Sequence, residues 1–145
     1  MTHKKYYAAA KAKVEIGGEH VEISAVKPKP GGMGARGLPL ESNRPFEVYA
    51  ELDKDGNIKK FRFYGGDYKA SMDLDLRHSP NEKTNAHYHL YDDTKNLGKK
   101  RKTGRSNDHF EVQNLPDKYQ HMTQFLGKNF SEMPNYQERE NHGRK

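Results

Sequence analysis

The stretch Ser71-Met72-Asp73-Leu74-Asp75-Leu76-Arg77-His78, followed after a polar loop by Ala86-His87-Tyr88-His89-Leu90-Tyr91, alternates along both runs. In an extended strand successive side chains point to opposite faces, so Met72, Leu74 and Leu76 share one face while Ser71, Asp73, Asp75 and Arg77 share the other. The second run puts Ala86, Tyr88 and Leu90 on an apolar face toward the core. His87, His89 and Tyr91 then line up opposite, toward solvent or a cleft. Pairing of the two strands would gather His78, Asp73, Asp75, His87 and His89 into one cluster.

Outward from this strip the same period-2 pattern recurs. Phe46-Glu47-Val48-Tyr49-Ala50-Glu51-Leu52 and Ile58-Lys59-Lys60-Phe61-Arg62-Phe63-Tyr64 flank Asp53-Lys54-Asp55-Gly56-Asn57, a turn signal whose Asp, Gly and Asn tolerate the positive φ of a tight hairpin. An earlier hairpin is expected from Lys13-Val14-Glu15-Ile16 and His20 to Val26 around Gly17-Gly18. Between the hairpins, residues 27–45 are dense in Pro and Gly and read as a linker or long loop. Leu115-Pro116-Asp117 opens a helix, with Tyr119, Met122, Phe125 and Leu126 at helical spacing and Gly127 as its stop. The pattern predicts an α+β domain over residues 13–130, an antiparallel β-meander packed against one or two helices. A flexible or helical arm over 1–12 and a flexible polar tail over 131–145 complete the expectation.

Composition bounds the function. The 145 residues include 32% hydrophobic and 32% charged residues, with a net charge of +6. Globular domains usually hold about 45–50% apolar residues with glycine counted, so the expected core is modest. No apolar run approaches the roughly 20 residues of a membrane span, and the N-terminal residues lack a secretory h-region, so a cytoplasmic protein without a membrane partner is expected. Cysteine is absent, which excludes disulfides and thiolate metal sites. A basic balance favours a polyanion, RNA or another nucleic acid, as partner.

Two histidines two apart on a strand can supply a general acid and a general base, the requirement for cleaving RNA through its 2′-hydroxyl. On this reading His87 and His89 act with His78, and Arg62 or Arg77 stabilises the charge that builds on the phosphorane. No cofactor is then needed. The same side chains support a divalent-metal reading, with Asp75, His87 and His89 as ligands of a metal-dependent nuclease, although no H-E-x-x-H signature accompanies them. The run Lys99, Lys100, Arg101, Lys102 and Arg105 has the composition of a phosphate-contacting segment. Tyr6, Tyr7, Tyr64 and Tyr68 are candidates for stacking on bases. A different class of function, a non-catalytic module that binds nucleic acid or protein, accounts for the same residues without chemistry.

The order Asn43-Arg44-Pro45-Phe46-Glu47-Val48-Tyr49, Asp53-Lys54-Asp55-Gly56-Asn57-Ile58, Phe61-Arg62-Phe63-Tyr64, Asp73-Leu74-Asp75 and His87-Tyr88-His89 resembles C-terminal toxin modules of bacterial polymorphic toxins and of phage minor head (Mu F-like) proteins. The resemblance covers about a third of the chain. It implies a small nuclease-like domain, an RNase toxin of the barnase, EndoU, colicin or RelE type. It also implies an immunity protein as partner, with His78, His87 and His89 at the motif positions.

Overall fold

The computed structural model describes residues 10–26, 38–39, 41–77, 85–91 and 110–138. It is α+β: eight strands form one mixed, mostly antiparallel sheet, accompanied by a helical segment of 9 residues. The strands are β1 (Ala10–Ile16), β2 (Glu19–Val26), β3 (Val48–Leu52), β4 (Ile58–Tyr64), β5 (Ala70–Arg77), β6 (Asn85–Leu90), β7 (Phe110–Glu111) and β8 (Gln137–Glu138). Their order across the sheet is β7-β6-β5-β4-β3-β2-β1-β8. The helical segment is α-helical over Asp117–Gln120 (α1) and continues as a 3-10 helix over His121–Phe125.

Each hairpin turn follows from its sequence. Gly17 and Gly18 both take positive φ between β1 and β2, and Gly56 does so between β3 and β4. In the second turn the Asp53 carboxylate accepts from the Asp55 and Asn57 N–H groups, so the loop closes on its own side chain. The β2–β3 neighbours pair in parallel, from Ile23↔Val48 to Val26↔Glu51. The sequence had suggested an antiparallel meander, which β3 to β6 form, and the β2–β3 pair makes the sheet mixed. A parallel pair needs a crossover connection of a dozen or more residues, and residues 27–47 supply that length.

The principal core lies on one face of the sheet. Alternation along β1 buries Ala10, Ala12, Val14 and Ile16, and Ile23, Ala25, Val48, Ala50, Phe61, Phe63, Met72, Leu74 and Tyr88 continue the layer. Leu115, Met122, Phe130 and Met133 from the C-terminal third cover it. The helical stripe expected at Met122 and Phe125 therefore packs on the sheet. Gly127, at φ +83, ends it.

Four boundaries differ from the sequence expectation. Strand β1 begins at Ala10, inside the stretch read as an arm. Residues 131–138 are not a free tail, because Gln137 and Glu138 pair with Lys11 and Ala10 and Asn129 caps a 3-10 turn over Phe130–Glu132. Leu38 and Pro39 lie within the supposed linker yet dock on the second face, where Leu38 is buried. Strand β3 starts at Val48, two residues later than the alternation suggested, since Phe46 turns into the left-handed region at φ +59.

Candidate metal and nucleic-acid site

The second face of the sheet carries the polar residues of the strip. Strands β5 and β6 pair antiparallel, with Asp73 opposite His89 and Asp75 opposite His87. Strand β4 sets Arg62 opposite Asp73 and Lys60 opposite Asp75, and β7 sets Glu111 opposite His87. Cross-strand partners share a face, so two rows of ionisable groups run across four strands.

The rows differ in what they do. In one, Arg62 donates from Nε and an Nη to the two Asp73 oxygens at 2.7 and 2.9 Å. Its other Nη donates to the Leu38 and Pro39 carbonyls. The Tyr91 hydroxyl donates to Asp73 at 2.7 Å, and Lys60 Nζ lies 3.8 Å from the same carboxylate. Burial alone would raise the Asp73 pKa; hydrogen bonds and charge from Arg62, with Lys60 and Tyr91 adding, hold it below the ordinary carboxylate value. The same ion pair raises Arg62. Tyr64 closes this layer by donating its hydroxyl to the Pro39 carbonyl, and its burial raises its pKa.

In the other row Asp75 stands opposite His87 and also meets His89 of the first row: His87 Nε2 and His89 Nε2 lie 3.8 and 3.7 Å from one of its oxygens. One donor atom from each of the three residues lies within 4.8 Å of the others. The two rings meet edge to face with centroids 5.0 Å apart. The i, i+2 spacing in β6 puts both imidazoles on one face, and the β5–β6 register delivers the carboxylate between them. Two imidazole nitrogens and a carboxylate oxygen suit a divalent transition metal, at bond lengths of about 2.0–2.2 Å. Such bonds set neighbouring donors roughly 3.0–3.5 Å apart. The two histidine-to-carboxylate separations are a few tenths of an ångström longer, and all three donors lie within 4.8 Å, so side-chain movement would be needed to close the set. This group could hold a metal ion.

The residues read from the sequence thus divide. Asp75, His87 and His89 come together as expected. His89 is almost fully buried and His87 mostly so, so of the two surroundings the alternation allowed, solvent or a cleft, open solvent is not the one observed. Leu90, expected on the core side, is exposed. Arg62 is buried and spends four hydrogen bonds on Asp73, Leu38 and Pro39, a structural role and not that of a cation presented to a phosphate. Tyr64 is likewise buried in the sheet's second layer and offers no stacking surface, whereas Tyr68 is exposed. Arg77 ends β5, and its side chain lies outside the described residues, as do Tyr6, Tyr7, His78, Lys99, Lys100, Arg101, Lys102 and Arg105. The sequence reading passed over Lys60 and Glu51. Their ion pair at 3.9 Å extends the charged face toward β3. The same period that placed Arg62 on this face also placed Lys60 there.

Comparison with protein-family models, with curated proteins and with solved structures gives no match to this chain. Among the described residues no helix is long and apolar enough to cross a membrane.

Proposed function

We propose that Asp75, His87 and His89 form a divalent-metal centre and that the protein is a metal-dependent phosphodiesterase acting on nucleic acid. The convergence of two imidazoles on one carboxylate oxygen carries this reading. A metal-free acid–base pair would need the scissile phosphate to settle between His87 and His89. Asp75 occupies that approach, and its charge repels a phosphate unless a cation intervenes. The metal reading therefore stands ahead of the metal-free one that the H-x-H spacing alone favoured. The net charge of +6 supports a polyanionic substrate.

The division of labour follows from the geometry. A bound divalent ion would supply positive charge to a phosphoryl oxygen and lower the pKa of water. The β5–β6 ladder fixes the spacing of the three donors. The Arg62–Asp73–Tyr91 network beside His89 stiffens the strands that carry them, as outer groups around metal ligands do. Lys60 adds a cation on the same face.

The test is titration of the full chain with Mn²⁺ or Zn²⁺, followed by incubation with total RNA and with single-stranded DNA. Expected is one bound ion per chain, with affinity reduced more than about ten-fold in His87→Ala and in Asp75→Ala. Cleavage should stop in EDTA and return with the ion. Cleavage that persists in EDTA but is lost in His87→Ala would restore the metal-free acid–base pair. No metal binding, together with salt-sensitive retention of RNA, would leave a non-catalytic binding module.

A further inference from the structure

Phe46 and Tyr68 are both held in the left-handed region, at φ 59 and 71, and both rings are exposed, Phe46 at 70% and Tyr68 at 44%. A bulky side chain rarely adopts that backbone, and an exposed ring recovers little of the cost through burial. The conformation is nevertheless fixed from several sides. The N–H groups of Phe46 and Tyr68 donate to the same carbonyl, that of Gly65, each at 3.1 Å. Gly65 N–H in turn donates to Lys69, and Ser42 N–H donates to Tyr68. The Phe46 ring lies against Gly66 so closely that a Cβ there would stand 2.8 Å from its Cζ. Two residues before Phe46, Arg44 is exposed along most of its side chain. Its guanidinium is held by Nε and Nη2 contacts of 3.2 and 3.0 Å to Glu47 Oε2. Glu47 is itself steadied by the Tyr49 hydroxyl at 2.9 Å.

We infer that Arg44, Phe46 and Tyr68 form a stacking platform for the bases of single-stranded nucleic acid. Three planar groups, one of them cationic, are exposed around one turn system, with the Phe46 and Tyr68 backbones and the Arg44 guanidinium held by hydrogen bonds. Planar bases stack on aromatic rings and on guanidinium planes, and such contacts tolerate any base sequence. Asn43, Asp67 and Lys69, neighbours of these groups in the chain, are exposed and polar. Tyr68 precedes Asp75 by seven residues, about 23 Å at roughly 3.3 Å per extended residue, so the platform would hold nucleotides a few positions from the one at the metal centre. The inference takes its choice of polymer from the proposed function but does not depend on a metal.

The test is fluorescence anisotropy of the full chain with a short labelled single-stranded oligonucleotide, in EDTA at low salt. Phe46→Ala and Tyr68→Ala should each weaken binding roughly ten-fold, and Phe46→Tyr should retain it. Phe46→Gly relieves the strained backbone, so thermal stability should hold or rise while affinity falls; a ring that serves only the fold gives the opposite pair of results. The assay is run in EDTA and metal binding by the wild type is scored separately, which separates failure of the platform from failure of the metal centre. Wild-type affinity in folded Phe46→Gly and Tyr68→Ala variants would overturn the inference. So would equal affinity for duplex, or no binding to the wild type at all.

Discussion

Arg62 and Asp73 illustrate how one alternating pattern yields two kinds of residue. Asp73 and Asp75 stand two apart on the same face of β5, yet Asp73 is fully buried against Arg62 while Asp75 keeps some exposure beside the histidines. Breaking the buried pair from one side leaves an uncompensated carboxylate, so Arg62→Met should cost about 3–5 kcal/mol in a urea melt. A double variant replacing both residues with apolar ones should recover much of that loss. The acid side follows from the depressed Asp73 pKa. Its native value lies below its unfolded value, so the unfolded chain binds the extra proton. The pair's contribution is complete above the unfolded value of about 3.9 and is lost as pH falls through the native one. Asp73→Asn should therefore be less stable than wild type at neutral pH, with a shallower loss of stability below about pH 4. Urea melts across that range check it. The alternation revealed the face on which these groups sit; it could not reveal that Leu38 and Pro39 cover one of them, since that covering segment is distant in sequence.

At the scale of elements, turn chemistry was the most legible feature. The Asp53-to-Asn57 signal gives the β3–β4 turn, with Gly56 at φ +90 and Asn129 Nδ2 within 3.2 Å of where a Cβ would stand. The Asn129 amide also donates to the Asp55 carbonyl, tying the hairpin to the C-terminal segment. Gly56→Ala meets both a strained φ and this contact, and should lower stability by about 1–2 kcal/mol, measurable as a fall in Tm. The two-residue strands β7 and β8 were not legible, because two residues carry no period. They exist through pairing with His87–Tyr88 and with Ala10–Lys11. Phe46 read as an ordinary strand residue in sequence, and Tyr68 as one of several tyrosines that could stack on bases, with no sign of the left-handed backbone of either. Their shared bond to Gly65 forms only when the chain before β3 meets the β4–β5 turn.

For the whole molecule the sheet order sets a gradient of protection. Strand β3 is buried at every residue and β4 nearly so, whereas β7 and β8 sit at the two edges. Hydrogen exchange should be slowest in β3, β4 and the β5 residues paired to β4, and fastest at Phe110–Glu111 and Gln137–Glu138. Uniform protection across the sheet would contradict that order. Local periodicity and turn residues determined the strands β1 to β6, the two hairpins, the helix stop at Gly127 and the common face of His87 and His89, because each is fixed by neighbours a few residues apart. The parallel β2–β3 pairing, the docking of Leu38 and Pro39 over Arg62, and the register that sets Asp75 beside both histidines were decided only by the tertiary structure. Each joins segments far apart in the chain, whose meeting depends on which surfaces can be buried together and not on the pattern within any one of them.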